Sequence, residues 1–189
     1  RARLAAIGFT DPEGAQRHIA ALTHGLKRAA AIQRQLLPAM IGWFAECPDP
    51  DAGLLAFRQL SEQLADTHWF LKLLRDSGNA AQRLATLLAT SGYVTRALLA
   101  SANDVTWLDS DEDLARVPVE RLDKEADAII DRADDEEQVI TALRGIRRRE
   151  VARTAAANVL AIQDSVTAAA SVTDAADVLI SGGLRVANL

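Results

Sequence analysis

The chain has 189 residues, with 21 Lys plus Arg against 26 Asp plus Glu and a formal charge of −5. Ala fills 37 positions, aromatics only 4%, and there are 10 Gly and 5 Pro; Ala favours helices and disfavours strands. This balance excludes a disulfide scaffold, a disordered tail and a turn-dense β-sandwich or barrel, and predicts an all-α chain, a bundle of about eight helices with no sheet.

The chain opens on Arg1-Ala2-Arg3, without Met or an apolar signal core, and reads as the cut edge of a longer protein. Thr10-Asp11-Pro12 places a cap before a proline in the first helical turn, so a helix is expected from Pro12 to His24, with Gly25 as its stop. A second is expected from Leu26 to Glu46, with Ile32, Leu36, Met40, Trp43 and Phe44 on one face and a kink or split at Pro38. Pro48 and Pro50 break the chain. A third helix from Asp51 carries Leu54, Phe57, Leu60 and Leu64. Thr67 is expected to cap a helix burying Trp69, Phe70, Leu73 and Leu74; Asn79 caps the next, and Ser91-Gly92 precedes a short one to Ala100.

Composition shifts at Asp109: residues 109–137 hold 13 acidic and 4 basic side chains. Pro118 starts a helix there with Leu122, Ala126, Ile129 and Ile130 inward. A long helix from Glu136 to Gln163 is expected to bury Val139, Leu143, Ile146, Val151, Ala155 and Val159, and Thr173 to cap a last helix through Ile180. The reading is therefore residues 1–108 as a helical bundle and 109–189 as an acidic segment, long helix and C-terminal helix packed on the same bundle, in one compact domain.

Cys47 is alone, which fits a reducing cytoplasm. His18, His24 and His68 have no metal-ligand spacing, and the acidic run from Asp109 lacks the glycine and glutamate of a calcium loop. No glycine-rich phosphate loop and no nucleophile elbow occur. No uncharged stretch is long enough to span a bilayer. Trp43-Phe44, Trp69-Phe70 and Trp107 are expected as core anchors. The densest charge feature is Arg144, Arg147, Arg148, Arg149 and Arg153. These arginines either pair with the preceding acidic segment or present a surface to an acidic partner. The low isoelectric point argues against nucleic acid.

Three stretches in this order, residues 36–64 (LLPAMIGWFAECPDPDAGLLAFRQLSEQL), 69–100 (WFLKLLRDSGNAAQRLATLLATSGYVTRALLA) and 143–160 (LRGIRRREVARTAAANVL), resemble the glutamine synthetase adenylyltransferase/adenylyl-removing enzymes in their actinobacterial form. Residues 10–22 fit as well. The resemblance implies a helical, regulatory region leading into the second of two nucleotidyltransferase domains. It implies ATP and Mg2+ for the parent enzyme, and as partners the flanking domains, glutamine synthetase, a PII-type signal protein and glutamine. The family's G-S…D-x-D signature is absent, so no catalytic, cofactor or metal residue carries over, and the fragment is expected to be inactive alone. Pro38 and the Pro48–Pro50 break are candidate joints of a two-state element, and Arg144, Arg147, Arg148, Arg149 and Arg153 a candidate partner surface.

Overall fold

A computed structural model describes residues 2–24, 28–132 and 135–187. Among these residues the chain forms eleven α-helices and one 3-10 helix, without a strand. After a short α1 (Ala2–Ala6), Asp11 accepts from the Gly14 N–H at 2.8 Å and opens α2 (Pro12–Thr23). The expected stop at Gly25 and start at Leu26 lie outside the described residues. Helix α3 (Arg28–Ala45) runs unbroken through Pro38. Pro38 is exposed, and Leu37, Met40 and Phe44, all buried, hold both halves of the helix against the core. The buried stripe is Ala30, Gln33, Leu37, Met40 and Phe44; Ile32, Leu36 and Trp43 sit at its half-buried edge.

Asp49 repeats the Asp11 device. It accepts from the Ala52 N–H at 2.9 Å and starts α4 (Pro50–Gln63), with proline where its missing N–H leaves no helical bond unmade. Asp51, one residue further on, accepts from the Thr10 N–H at 2.7 Å and the Thr10 hydroxyl at 2.8 Å, tying the start of α2 to α4. In α5 (Trp69–Asp76) Thr67 does not act as the cap: its hydroxyl donates back to the Leu64 carbonyl at 2.8 Å. Ser77, not Asn79, caps α6 (Gly78–Thr90), and Ser91 caps α7 (Gly92–Ala100). A 3-10 helix (Ala102–Asp109) and a single turn, α8 (Asp111–Leu114), follow. These extra breaks explain why the helices outnumber the eight expected.

The remaining helices are α9 (Val119–Ile130), α10 (Glu136–Val159) and α11 (Ser165–Ala187). Thr173 caps nothing. It lies within α11 and its hydroxyl donates to the Ala169 carbonyl, while Asp164 accepts from the Thr167 N–H at the true start.

Contacts divide the chain into two compact units, Arg1–Asp113 and Leu114–Leu189. In the first, Phe44, Phe57 and Phe70, fully buried, follow one another with ring centroids 6.3 and 6.4 Å apart. Of the expected anchors, Phe44 and Phe70 are in the core, joined by Phe57, while Trp43, Trp69 and Trp107 are only half-buried. In the second, Leu122 and Ala126 of α9, Val139, Leu143 and Ile146 of α10, and Val178 and Val186 of α11 form the core.

Helix α10 ends with Ala161 in the left-handed region at φ 56°. The Ile162 N–H donates to the Ala157 carbonyl at 2.8 Å and the Ala161 N–H to that of Asn158 at 3.0 Å, the bond pair of a Schellman cap. This position favours glycine, because a Cβ crowds the following carbonyl there. Ala161→Gly is expected to raise the stability of the chain by about 0.5–1 kcal/mol in a denaturant titration. A loss of stability would show that Ala161 is held by packing instead.

Candidate functional site

The Arg144–Arg153 segment lies wholly on α10, and the helix sorts its five arginines onto two sides. The buried stripe runs Val139, Leu143, Ile146, Glu150, Thr154, Ala157, at steps of three and four. Val151, Ala155 and Val159, expected inward, are half-buried beside it.

Glu150 is a carboxylate in the middle of this stripe, 4% exposed. Arg149 Nε donates to it at 2.9 Å, and Arg153 donates to its other oxygen. Arg149 also grips Glu125 of α9 with both terminal nitrogens, at 2.8 and 2.7 Å. This two-pronged contact holds the Glu125 carboxyl below the usual carboxylate range and raises Arg149 above its ordinary value, against the cost of burial. Two further pairs, Arg116 with Asp174 at 2.7 Å and Arg185 with Asp127, join α11 to the residues before it. Arg149 and Arg153 therefore belong to the interior bonding of the second unit. The Arg149–Glu125 pair matches the expected pairing with the acidic segment, and Arg153 also bonds Glu150 of its own helix.

Arg144, Arg147 and Arg148 stand on the opposite arc. All three are exposed, and none makes an ion pair with another described residue. On a helix, positions i, i+3 and i+4 share a face, so these guanidinium groups form one cationic patch. Sequence reasoning grouped five arginines where the fold separates three from two. It also missed Glu125 and Glu150; the signal for Glu150 was its place four residues after Ile146 in the apolar stripe.

The other titratable groups have local roles. Asp111 pairs with Arg83, whose guanidinium also donates to the Leu108 carbonyl at 3.1 Å. His18 Nδ1 lies 3.2 Å from Arg58, and its pKa is lowered first by burial and then by Arg58 and Arg17. Among the described residues, no group of three or more His, Cys, Asp or Glu side chains is placed to hold a metal ion, and no helix is long and apolar enough to cross a membrane.

A family model described as glutamate-ammonia ligase adenylyltransferase matches residues 81–188. Similar curated proteins carry the name bifunctional glutamine synthetase adenylyltransferase/adenylyl-removing enzyme. That of Leifsonia xyli is 46% identical over 184 residues, covering 97% of this chain and 18% of the relative. That of Streptomyces coelicolor is 43% identical over 185 residues, with 97% and 18% covered, and that of Mycolicibacterium smegmatis 38% identical over 174, with 90% and 17% covered. The chain thus spans under a fifth of the length of these relatives. No solved structure matches.

Proposed function

The chain belongs to the glutamate-ammonia ligase adenylyltransferase family, and on that premise we propose that it is a regulatory, interdomain helical module of an enzyme that adenylylates and deadenylylates glutamine synthetase. The observation that carries this reading is that a chain all helical among its described residues matches the family at residues 81–188 while spanning under a fifth of its relatives. ATP and Mg2+ are assigned to the rest of the parent enzyme, as is the chemistry on glutamine synthetase. Its partners are the flanking nucleotidyltransferase domains of the same chain, with glutamine and a PII-type signal protein as effectors of the parent, in the cytoplasm. The Pro48–Pro50 break between α3 and α4 is the joint favoured for a two-state element.

A docking role is favoured by one specific observation, the unpaired patch of Arg144, Arg147 and Arg148. Arg149 and Arg153 are less suited to it, being engaged with Glu125 and Glu150. In the full-length enzyme, Arg144→Glu, Arg147→Glu and Arg148→Glu together are expected to weaken salt-sensitive association with glutamine synthetase or the signal protein by about tenfold or more at low ionic strength. Unchanged affinity in calorimetry removes the docking role. The regulatory reading is tested separately. The isolated chain with ATP, Mg2+ and glutamine synthetase is expected to transfer no AMP, and Pro50→Ala in the parent to alter the glutamine response of the two activities. Transfer by the isolated chain, or an unaltered response, counts against the module as described.

A further inference from the structure

We propose that the outer face of α11 is an interface for the stretch of the parent polypeptide that directly follows residue 189, which covers it with an apolar surface carrying a basic side chain. The inner face of α11 is buried at Ser171, Ala175, Val178, Gly182 and Val186, and the two valines share a core with α9 and α10. The opposite face, at steps of three and four, presents Val166, Ala169, Thr173, Asp177, Ile180 and Leu184, all exposed. Val166 is 79% exposed, and Ile180 and Leu184 60% each. Exposed apolar residues standing singly are ordinary; a run of them along the whole outer face of one helix marks an interface.

Charge separates α11 from its neighbours. Only three of its 23 residues are charged, Asp174, Asp177 and Arg185. Asp174 pairs with Arg116 and Arg185 with Asp127, so both serve the bonding of the second unit itself. Asp177 is left as the sole charge on the outer face. By contrast, the exposed arc of α10 carries Arg144, Arg147 and Arg148, and that of α9 carries Arg121, Lys124 and Asp127. Those arcs suit water. A helix that is apolar on both sides belongs between two layers of protein.

The length of the relatives shows where a second layer comes from. The aligned residues are 18% of the Leifsonia xyli relative, so more than four-fifths of such a polypeptide lies outside them. Consecutive elements usually pack side by side, as α9, α10 and α11 do, and α11 runs to Ala187. An element that follows is tethered close to Ile180 and Leu184 and reaches them through a short connection. Two other occupants fit less well. A symmetric antiparallel pair of α11 helices brings two Asp177 carboxylates together near its middle, where like charges repel. A lipid surface selects helices with Lys or Arg along the polar flank, and α11 has only Arg185, already paired with Asp127. Asp177 calls for a Lys or Arg on the covering segment. The inference rests on the reading above, in which nucleotidyltransferase domains flank this chain, and needs neither a regulatory nor a docking role.

The test is made in the full-length parent enzyme. Ile180 and, in a separate variant, Leu184 one turn on are each replaced by a leucine-sized diazirine amino acid. Lys124, on the charged arc of α9, is replaced in the same way as control. After irradiation the joined peptides are identified by mass spectrometry. At least one of positions 180 and 184 is expected to join residues that follow 189, at about five times the yield from position 124 or more, because a diazirine inserts only into atoms in contact with it. Capture by both positions of residues ahead of this chain, of residues 1–113, or of a second copy names another occupant and overturns the proposal. So does a yield at both positions no higher than at position 124, which leaves the face in water. Either failure leaves the regulatory reading standing, because that reading is judged by AMP transfer and the glutamine response, which the photo-crosslink does not measure.

Discussion

Glu150→Ala is expected to destabilise the chain by about 2–4 kcal/mol, read as a lowered midpoint in urea or guanidinium. Glu150 lies in the apolar stripe of α10 and accepts from both Arg149 and Arg153. Removing one member of a buried ionic set costs more than the set is worth, because the partners stay behind desolvated; about 3–5 kcal/mol is usual. The upper end is discounted here. The Arg149 and Glu125 side chains are 34% and 38% exposed, so water screens that half of the network, and Arg149 keeps Glu125 when Glu150 is gone. Arg153, 14% exposed, loses its contact with Glu150 outright. Glu150→Gln retains an acceptor of the same shape and is expected to cost about half as much. Arg148→Ala serves as control, since its guanidinium pairs with nothing described, and is expected to stay within about 0.5 kcal/mol of the parent. A Glu150→Ala loss below about 1 kcal/mol would mean that the network is wet and that the two groups of arginines on α10 do not differ in role.

The same residue shows what was legible in the sequence. Alanine richness announced an all-helical chain and Asp11-Pro12 the start of α2, because a capping carboxylate and a proline in the first turn act locally; the same pair at Asp49-Pro50 was read only as a break before a helix from Asp51. Stripes of large apolar residues were equally plain in α4 and α9. Where the reading slipped, a polar residue stood in the buried stripe. In α10 the periodicity passes through Glu150 and Thr154, and following only apolar residues moved the expected face to Val151 and Ala155. In α3 it passes through Gln33, and the expected face moved to Ile32 and Leu36. Such positions are buried because polar partners satisfy them: Arg149 and Arg153 of the same helix for Glu150, Ser61 of α4 for half of Gln33. Ser61 lies 28 residues from Gln33, beyond local pattern, whereas the arginines beside Glu150 are helix neighbours that a reading of apolar spacing alone passes over. The caps at Thr67, Asn79 and Thr173 failed for a related reason. A hydroxyl or amide can cap a helix, but Thr67 and Thr173 instead donate to carbonyls three and four residues back, and at Ser77 the better-placed side chain came two positions earlier.

Gly53→Ala is expected to cost the chain about 2 kcal/mol, against the ordinary direction of a glycine-to-alanine change in a helix. Within α4, alanine would gain about 1 kcal/mol from propensity alone. The opposing effect is steric. A Cβ on Gly53 would lie 2.7 Å from the Ala89 Cβ, 3.1 Å from the Ala89 Cα and 2.8 Å from Cδ1 of the fully buried Phe44. The first two neighbours are fixed to the backbone of α6, so the helices must separate, and such overpacking costs about 1–3 kcal/mol or somewhat more. Gly182 is the internal comparison. Its added Cβ would approach the Leu143 side chain alone, at 2.9 Å from a flexible methyl, so Gly182→Ala is expected to cost less than about 1 kcal/mol. Ala89→Gly relieves the contact from the other side. Its own cost is about 1 kcal/mol of propensity, yet combined with Gly53→Ala it is expected to lose less than the two single changes added together, with a coupling of at least about 1 kcal/mol in a double-mutant cycle. If the two changes were strictly additive, the Cβ of Ala89 would not be what excludes a side chain at position 53, and the close approach of α4 to α6 would rest on Phe44 alone.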